Sequence, residues 1–139
     1  MKEPKIIYVA GPVPRKSMEL CQRVLLQFLY GQLQRFADRR NVKIHLPRVD
    51  LSLDEMDSAD FSSAIYQRIE QAYGVITVGY PADASVACEA QHASTLGKTQ
   101  VLLVADRRQA PRLLKALPKI VAVIELPDVD LDKLFAEFL

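Results

Sequence analysis

One side chain is better placed for chemistry than the others: Glu89, the lone acid in a stretch of small and mostly apolar residues at 84–93. An apolar run at 74–79 indicates a buried strand before it, so Glu89 falls within about the first turn and a half of the next helix. The positive end of the helix dipole favours an ionised carboxylate there. Such a carboxylate can attack an anomeric carbon and form a covalent glycosyl-enzyme. The same spacing equally fits an acid that faces water and only complements the dipole.

Two loops near this position could supply ligand contacts. The loop at 11–17, after the first strand, could bring backbone amides, a helix N-terminus and basic charge to an anion, but the loop alone favours an ordinary turn with solvated basic side chains. The loop at 80–85 contains a tyrosine that could stack on a base.

His92, three residues after Glu89, shares its helix face and could contact a ligand or only pack. The residues predicted to bind the ligand are Gly11, Pro12, Val13, Arg15, Tyr80, Asp83, Ser85 and His92.

Several common kinds of site are excluded by the sequence. It contains no G-x-G-x-x-G, no Walker A loop and no G-x-S-x-G nucleophile elbow. The first and third strands do not end in the acids that a receiver domain requires. Cys88 and His92 lie one helical turn apart, but no further ligand follows at a recognisable spacing. No metal site is therefore predicted.

The elements that must position these residues alternate between strand and helix. Apolar, β-branched runs predict five strands, at 5–10, 42–46, 74–79, 101–105 and 120–126. Helical spacing predicts one helix after a cap at Ser17 and others at 61–72, 84–96, 111–117 and 130–139. Strands this apolar must be covered on both faces. The chain, 1–139, is therefore predicted to be a single α/β domain: a doubly wound, five-stranded parallel sheet, flavodoxin-like or Rossmann-like, with helices on both faces.

Further features of the sequence predict a sheet edge, a helix end, the side of the sheet that binds ligands and a wide apolar helix face. The strict alternation at 42–46 favours a sheet edge, and Gly97 suits the residue after a helix. Ligands of such sheets bind outside the carboxyl ends of the strands, which is where both loops lie. The apolar face at 20–36 is wider than one sheet face needs, which indicates either a dimer interface or a buried helix.

Composition limits the class of protein. A chain of 139 residues with 50% hydrophobic and 25% charged residues can bury a core and is not typical of disorder. A net charge of +1 gives no electrostatic case for nucleic acid or an anionic membrane as partner. No signal peptide or membrane-length apolar run is recognisable, so a cytoplasmic location is expected. Cys21 and Cys88 are expected to be reduced, half-buried thiols.

Two short motifs carry a family resemblance. The first strand leads into Ala10-Gly11-Pro12, and Ser85-Val86-Ala87-Cys88-Glu89 is followed at a fixed distance by Leu96-Gly97-Lys98. In order and spacing, residues 5–105 resemble the nucleoside 2-deoxyribosyltransferase family, which includes the 2′-deoxynucleoside 5′-phosphate N-hydrolases. The resemblance implies that Glu89 is the nucleophile, that a nucleoside or nucleotide is cleaved or transferred at its N-glycosidic bond, and that no cofactor is used. It also implies a homodimer or higher homo-oligomer.

Four positions depart from the family pattern. Ser85 and Gln91 stand where the family has glycines, while Ile65 and Tyr73 stand where it has aspartates. The nucleophile is kept, but part of its support is changed, and losing such a partner can lower a rate by orders of magnitude. Two alternatives therefore stay open: a catalytically weak or inactive nucleotide-binding or sensing domain on the same fold, and an interaction module without a small ligand.

Overall fold

Five strands alternate with five helices along the described residues of the computed structural model, which are 3–48, 56–81, 83–108, 110–126 and 129–138. The elements in chain order are β1 (Lys5–Ala10), α1 (Leu20–Arg39), β2 (Val42–His45), α2 (Ser58–Gln71), β3 (Gly74–Val78), α3 (Ala84–Thr95), β4 (Thr99–Val104), α4 (Arg112–Lys115), β5 (Ile120–Glu125) and α5 (Leu131–Ala136). This alternation confirms the predicted order of strands and helices.

The strands form one all-parallel sheet in the order β2-β1-β3-β4-β5. The predicted flavodoxin-like, doubly wound fold is therefore confirmed, and β2 lies at the edge that its alternating sequence predicted. In the register of β1 with β2, Tyr8 is paired with His45. Both side chains therefore belong to the same face of the sheet.

Alternate residues of each strand pack against different helices. On one face, Ile7, Val9 and Ile44 belong to a core cluster with residues of α1 and α5. On the other face, Tyr8 and Val75 pack with α2 and α3. Helices on both faces explain why the strand sequences are almost continuously apolar.

Several helix ends differ from the predicted ones. Ser17 does not cap α1, which begins after Glu19 without a side-chain capping bond. Helix α2 starts earlier than predicted, because the carboxylate of Asp57 accepts a hydrogen bond from the backbone N–H of Asp60. Gly97 has a φ of +72°, which confirms it as the residue after α3. The sequence at 48–59 is acidic and predicts an irregular segment, of which residues 49–55 lie outside the described residues.

The surface of α1 carries an apolar stripe. Leu20, Val24 and Phe28, spaced four residues apart, are 61%, 54% and 66% exposed. Both cysteines are free, as expected, but they are exposed, so the prediction of half-buried thiols was wrong. Within the described part of the chain, no helix is both long enough and apolar enough to cross a membrane.

Candidate active site

A cavity of about 1040 Å³ opens at the carboxyl ends of β1 and β2. Its walls come from the loop after β1, from β2 and the residues that follow it, from α2 and from the first turns of α3. Pockets that bury a small-molecule ligand usually measure about 300–1,000 Å³. The cavity therefore has room for a ligand as large as a nucleotide.

Glu89 projects from α3 into this cavity. Its Oε1 accepts a hydrogen bond of 3.0 Å from the hydroxyl of Tyr8, which is 6% exposed on β1. Tyr8 reaches α3 because strand alternation directs it to the sheet face that α2 and α3 cover. The strand thus fixes one oxygen of the carboxylate, and Oε2 accepts no hydrogen bond from the described residues.

Asp83 caps the N-terminus of the same helix. Its Oδ1 accepts hydrogen bonds from the backbone N–H groups of Ser85, at 2.8 Å, and Val86, at 3.3 Å. These amides carry most of the partial positive charge of a helix N-terminus. A carboxylate already occupies them, so the helix end offers less positive charge to Glu89 or to a bound anion.

The electrostatic surroundings of Glu89 differ from those its helix position predicted. Burial raises the pKa of Glu89 to about 7; the hydrogen bond from Tyr8 lowers it and the charge of Asp83 raises it further. Burial therefore opposes the ionisation that the helix N-terminus is expected to favour. Near neutral pH, the group is about half ionised and can act as a nucleophile.

Positively charged side chains line another part of the cavity. Lys43 on β2, Arg48 just after it and Arg68 on α2 line the cavity, and together they form what is here named the cationic wall. None of the three lies within ion-pair distance of a carboxylate of the described residues. His45 lies among them, and burial, with smaller contributions from the three cations, lowers its pKa. Its imidazole is therefore mostly neutral at pH 7.

The loop after β1 forms a tightly packed part of the cavity wall. The hydroxyl of buried Tyr30 donates a 2.8 Å hydrogen bond to the carbonyl of Pro12. A Cβ at Gly11 would lie 2.4 Å from that hydroxyl, so no larger residue fits without displacing Tyr30. Burial raises the pKa of Tyr30, as it does for Tyr8, so both phenols stay protonated donors.

The structure brings most of the predicted ligand-binding residues to the cavity, although their contacts with a ligand stay predictions. Six of them line it together with Glu89: Gly11, Pro12, Val13, Arg15, Asp83 and Ser85. Tyr80 and His92 do not belong to its lining. The ring of His92 instead stacks on Tyr66, with centroids 4.2 Å apart, and its buried Nε2 has no hydrogen-bond partner among the described residues.

Sequence reasoning missed two parts of this site. Tyr8 could stack on a base from its sequence, which favours the core for it; it is buried there, but its hydrogen bond to Glu89 is not visible in the sequence. Lys43, His45 and Arg68 were not considered. For Lys43 and His45 the signal is present in β2, because the alternation that marks an edge strand also puts both on one face. Within the described residues, no group of three His, Cys, Asp or Glu side chains is arranged to hold a metal ion.

Comparison with known proteins supports the fold. No protein-family model matches the sequence, and no curated protein matches it significantly. The solved structure of the CMP N-glycosidase BcmB from Clostridium botulinum superposes with a TM-score of 0.63 at 17% identity, over 86% of this chain and 88% of that one. A conserved protein from Enterococcus faecalis V583 has a TM-score of 0.65 at 16% identity, over 97% of both chains.

A third similar structure has a different description. It is a protein from Burkholderia pseudomallei K96243 described as pilus assembly-related, with a TM-score of 0.53 at 13% identity, over 99% of this chain and 92% of that one. Identities this low establish a shared fold only, and one fold can carry unrelated functions. Function must therefore be argued from the site.

Proposed function

We propose that this protein cleaves the N-glycosidic bond of a nucleoside or nucleotide, by hydrolysis or by (deoxy)ribosyl transfer, with Glu89 as the nucleophile. The observation that carries the proposal is the carboxylate of Glu89 on the wall of a nucleotide-sized cavity, with one oxygen held by Tyr8. The fold shared with a CMP N-glycosidase supports it, as does the family resemblance of the motif around Glu89.

The proposed reaction uses the two oxygens of Glu89 differently. Oε1 is held by the Tyr8 hydroxyl, and Oε2 attacks C1′ of the sugar. The C1′–O bond forms as the C1′–N bond breaks, and the electron pair of the broken bond leaves with the base. Water, or a second base in a transfer reaction, then attacks C1′, the C1′–O bond to Glu89 breaks, and the proton lost by the attacking group balances the one taken up by the departed base.

In this mechanism, Tyr8 and Asp83 are positioning residues. The Tyr8 hydroxyl orients the carboxylate and lowers its pKa, which increases the ionised fraction at neutral pH. Asp83 fixes the first turn of α3, on which Glu89 is mounted, but its charge raises the pKa of Glu89. The balance leaves a nucleophile with a pKa of about 7, so its ionised fraction keeps rising above neutral pH.

The apolar stripe on α1 extends the proposal to assembly. Leu20, Val24 and Phe28 expose large side chains along one line of the helix, as protein–protein contact surfaces do. We propose that the chain forms a homodimer or higher homo-oligomer through this stripe. Phe28→Glu is expected to lower the molar mass seen by light scattering to that of one chain, and an unchanged mass would contradict this contact.

One observation favours a second candidate, a nucleotide-binding or sensing domain without turnover. Apart from Asp83 and Glu89, no carboxyl group of the described residues lines the cavity, and Ile65 stands there instead. Glycosidases normally pair the nucleophile with a second carboxyl group that protonates the leaving group. A site without that acid could bind a nucleotide and leave it intact.

One experiment separates the two candidates. Base release is measured by chromatography from ribo- and deoxyribonucleosides and their 5′-monophosphates, with wild type and Glu89→Gln in parallel. We expect release by wild type and a loss of at least about 1,000-fold in the variant, because the nucleophile is removed. Glu70→Gln, which changes an exposed acid on α2, is the matched control. Saturable nucleotide binding without release by folded wild type would instead establish the binding domain.

A further inference from the structure

The departing base needs a partner that Glu89 does not supply. When the C1′–N bond breaks, its electron pair goes to the base, which must leave either protonated by an acid or as an anion stabilised by its surroundings. This requirement rests on the proposed function, and it concerns the part of the cavity that would receive the base.

The described lining of the cavity offers no obvious acid for this step. Glu89 is the proposed nucleophile, and Asp83 Oδ1 already accepts hydrogen bonds from the two backbone N–H groups that it caps. His45 is the remaining group that titrates near neutral pH, and its lowered pKa keeps it mostly unprotonated. Protonation of the base by a described side chain is therefore poorly supported.

Positively charged side chains line the cavity on elements other than α3, which carries Glu89. In a displacement at C1′, the nucleophile and the leaving base occupy opposite sides of the reacting carbon. Glu89 comes from α3, whereas Lys43 and Arg48 come from the region of β2 and Arg68 comes from α2. The three cations line the same cavity without a described counterion.

Arg68 is the best placed member of the cationic wall. Its side chain is half-buried, unlike those of exposed Lys43 and Arg48. Its charge acts both on His45 at the edge strand and on Tyr8, the partner of Glu89. Arg68 is therefore within electrostatic range of both the edge strand and the partner of the nucleophile. A guanidinium group also presents several N–H donors in a fixed plane, which suits paired acceptors on a ring.

We propose that the cationic wall, with Arg68 as its main donor, binds the base of the substrate and stabilises the negative charge that the base acquires as it departs. The electron pair of the C1′–N bond is delocalised onto the carbonyl oxygens of the ring, which accept hydrogen bonds from the guanidinium group. Water protonates the free base after release. The site accordingly favours bases rich in carbonyl oxygens, such as uracil, over cytosine, which replaces one carbonyl by an amino donor.

The kinetic test compares Arg68→Met and Arg68→Lys with wild type and with Arg35→Met, which removes an exposed arginine of α1 outside the cavity. Substrates are uracil and cytosine nucleosides and their 5′-monophosphates. We expect Arg68→Met to slow single-turnover base release by about 100-fold with or without the phosphate, and to reduce the preference for uracil. Arg68→Lys should recover part of the rate, and Arg35→Met should match wild type.

Two kinetic outcomes would overturn the proposal. The first is an Arg68→Met variant that releases base as fast as wild type. The second is a loss confined to KM and to the 5′-monophosphates, because that pattern would make Arg68 a phosphate ligand rather than a partner of the base.

A binding measurement tests the wall without turnover. Barbiturate, a uracil-like ring that is an anion at neutral pH, is titrated against uracil by calorimetry. We expect wild type to bind barbiturate at least about ten times more tightly than uracil and Arg68→Met to lose that preference. Equal affinities in wild type would overturn the proposal. If wild type releases no base at all, the proposed function fails, and the barbiturate comparison still decides whether the wall binds an anionic base.

Discussion

The two charged walls of the cavity are built in different ways. On α3, both acids are satisfied within the fold, Asp83 by two backbone amides and Glu89 by the hydroxyl of Tyr8. On the cationic wall, Lys43, Arg48 and Arg68 have no counterion among the described residues. Each acid therefore has at least one hydrogen-bond donor within the fold, whereas the three cations have no described counterion. We infer that the acidic side is organised for reaction and the cationic side for recognition.

The two acids of α3 also differ from each other, although only one and a half turns separate them. Asp83 is exposed and accepts hydrogen bonds from amides that need a partner, so its negative charge stabilises the helix. Glu89 is largely buried and accepts one hydrogen bond from a phenol, so its ionisation is opposed by desolvation. Position on a helix thus does not determine ionisation; the solvent and donors available to each carboxylate do.

The largest effect expected from the difference between Asp83 and Glu89 is on the free energy of unfolding. Because the folded pKa of Glu89, about 7, lies above its ordinary value of 4.5, ionisation destabilises the native state increasingly as pH rises through this window. Glu89→Gln should therefore match wild type in unfolding free energy below pH 4.5 and exceed it by up to about 3 kcal/mol above pH 8.

Urea denaturation at several pH values measures this difference. The exposed Glu70→Gln variant serves as control and should show no such trend. A difference between Glu89→Gln and wild type that stays constant from pH 4 to pH 8 would mean that the carboxylate is not desolvated as described.

A smaller effect is expected from Tyr8→Phe, which removes the one described donor to Glu89. Loss of this hydrogen bond should raise the pKa of Glu89, so the acid limb of the kcat/KM profile should move to higher pH by about one unit. At pH 6, this corresponds to a loss of about tenfold, which is largely recovered above pH 8. A loss that is the same at every pH would indicate that Tyr8 only orients the carboxylate.

The smallest effect should come from Asp83→Asn. Removing this charge lowers the pKa of Glu89, so the acid limb should move to lower pH and activity at pH 6 should rise by a few fold. Asparagine also caps helices well, so the melting temperature should change little. A fall in activity at all pH values would instead assign the Asp83 carboxylate a direct role with the substrate.

The fold could be predicted from the sequence because its signals are local. Continuous apolar runs marked β1, β3 and β4 as buried, and the alternation in β2 marked the edge strand. Glu89 was found for the same reason, since a lone acid in a small-residue helix is visible in the sequence. The ends of elements were less predictable, as with Ser17, because capping depends on backbone geometry that composition does not reveal.

The surroundings of Glu89 could not be predicted in the same way. That Tyr8 faces α3 rather than α1 depends on which sheet face each helix covers, and the sequence does not specify that choice. The raised pKa depends on burial by residues distant in sequence. Lys43 and Arg68 line the same cavity only because β2 pairs with β1.

The loop between β1 and α1 has a consequence for the entropy of binding. Pro12 and Pro14 restrict the backbone already in the unfolded chain, and the Tyr30 hydroxyl ties the Pro12 carbonyl to α1. A loop ordered in this way loses little conformational freedom when a ligand arrives. On this side of the cavity, the binding free energy of a ligand is therefore reduced little by the entropy cost of ordering the loop.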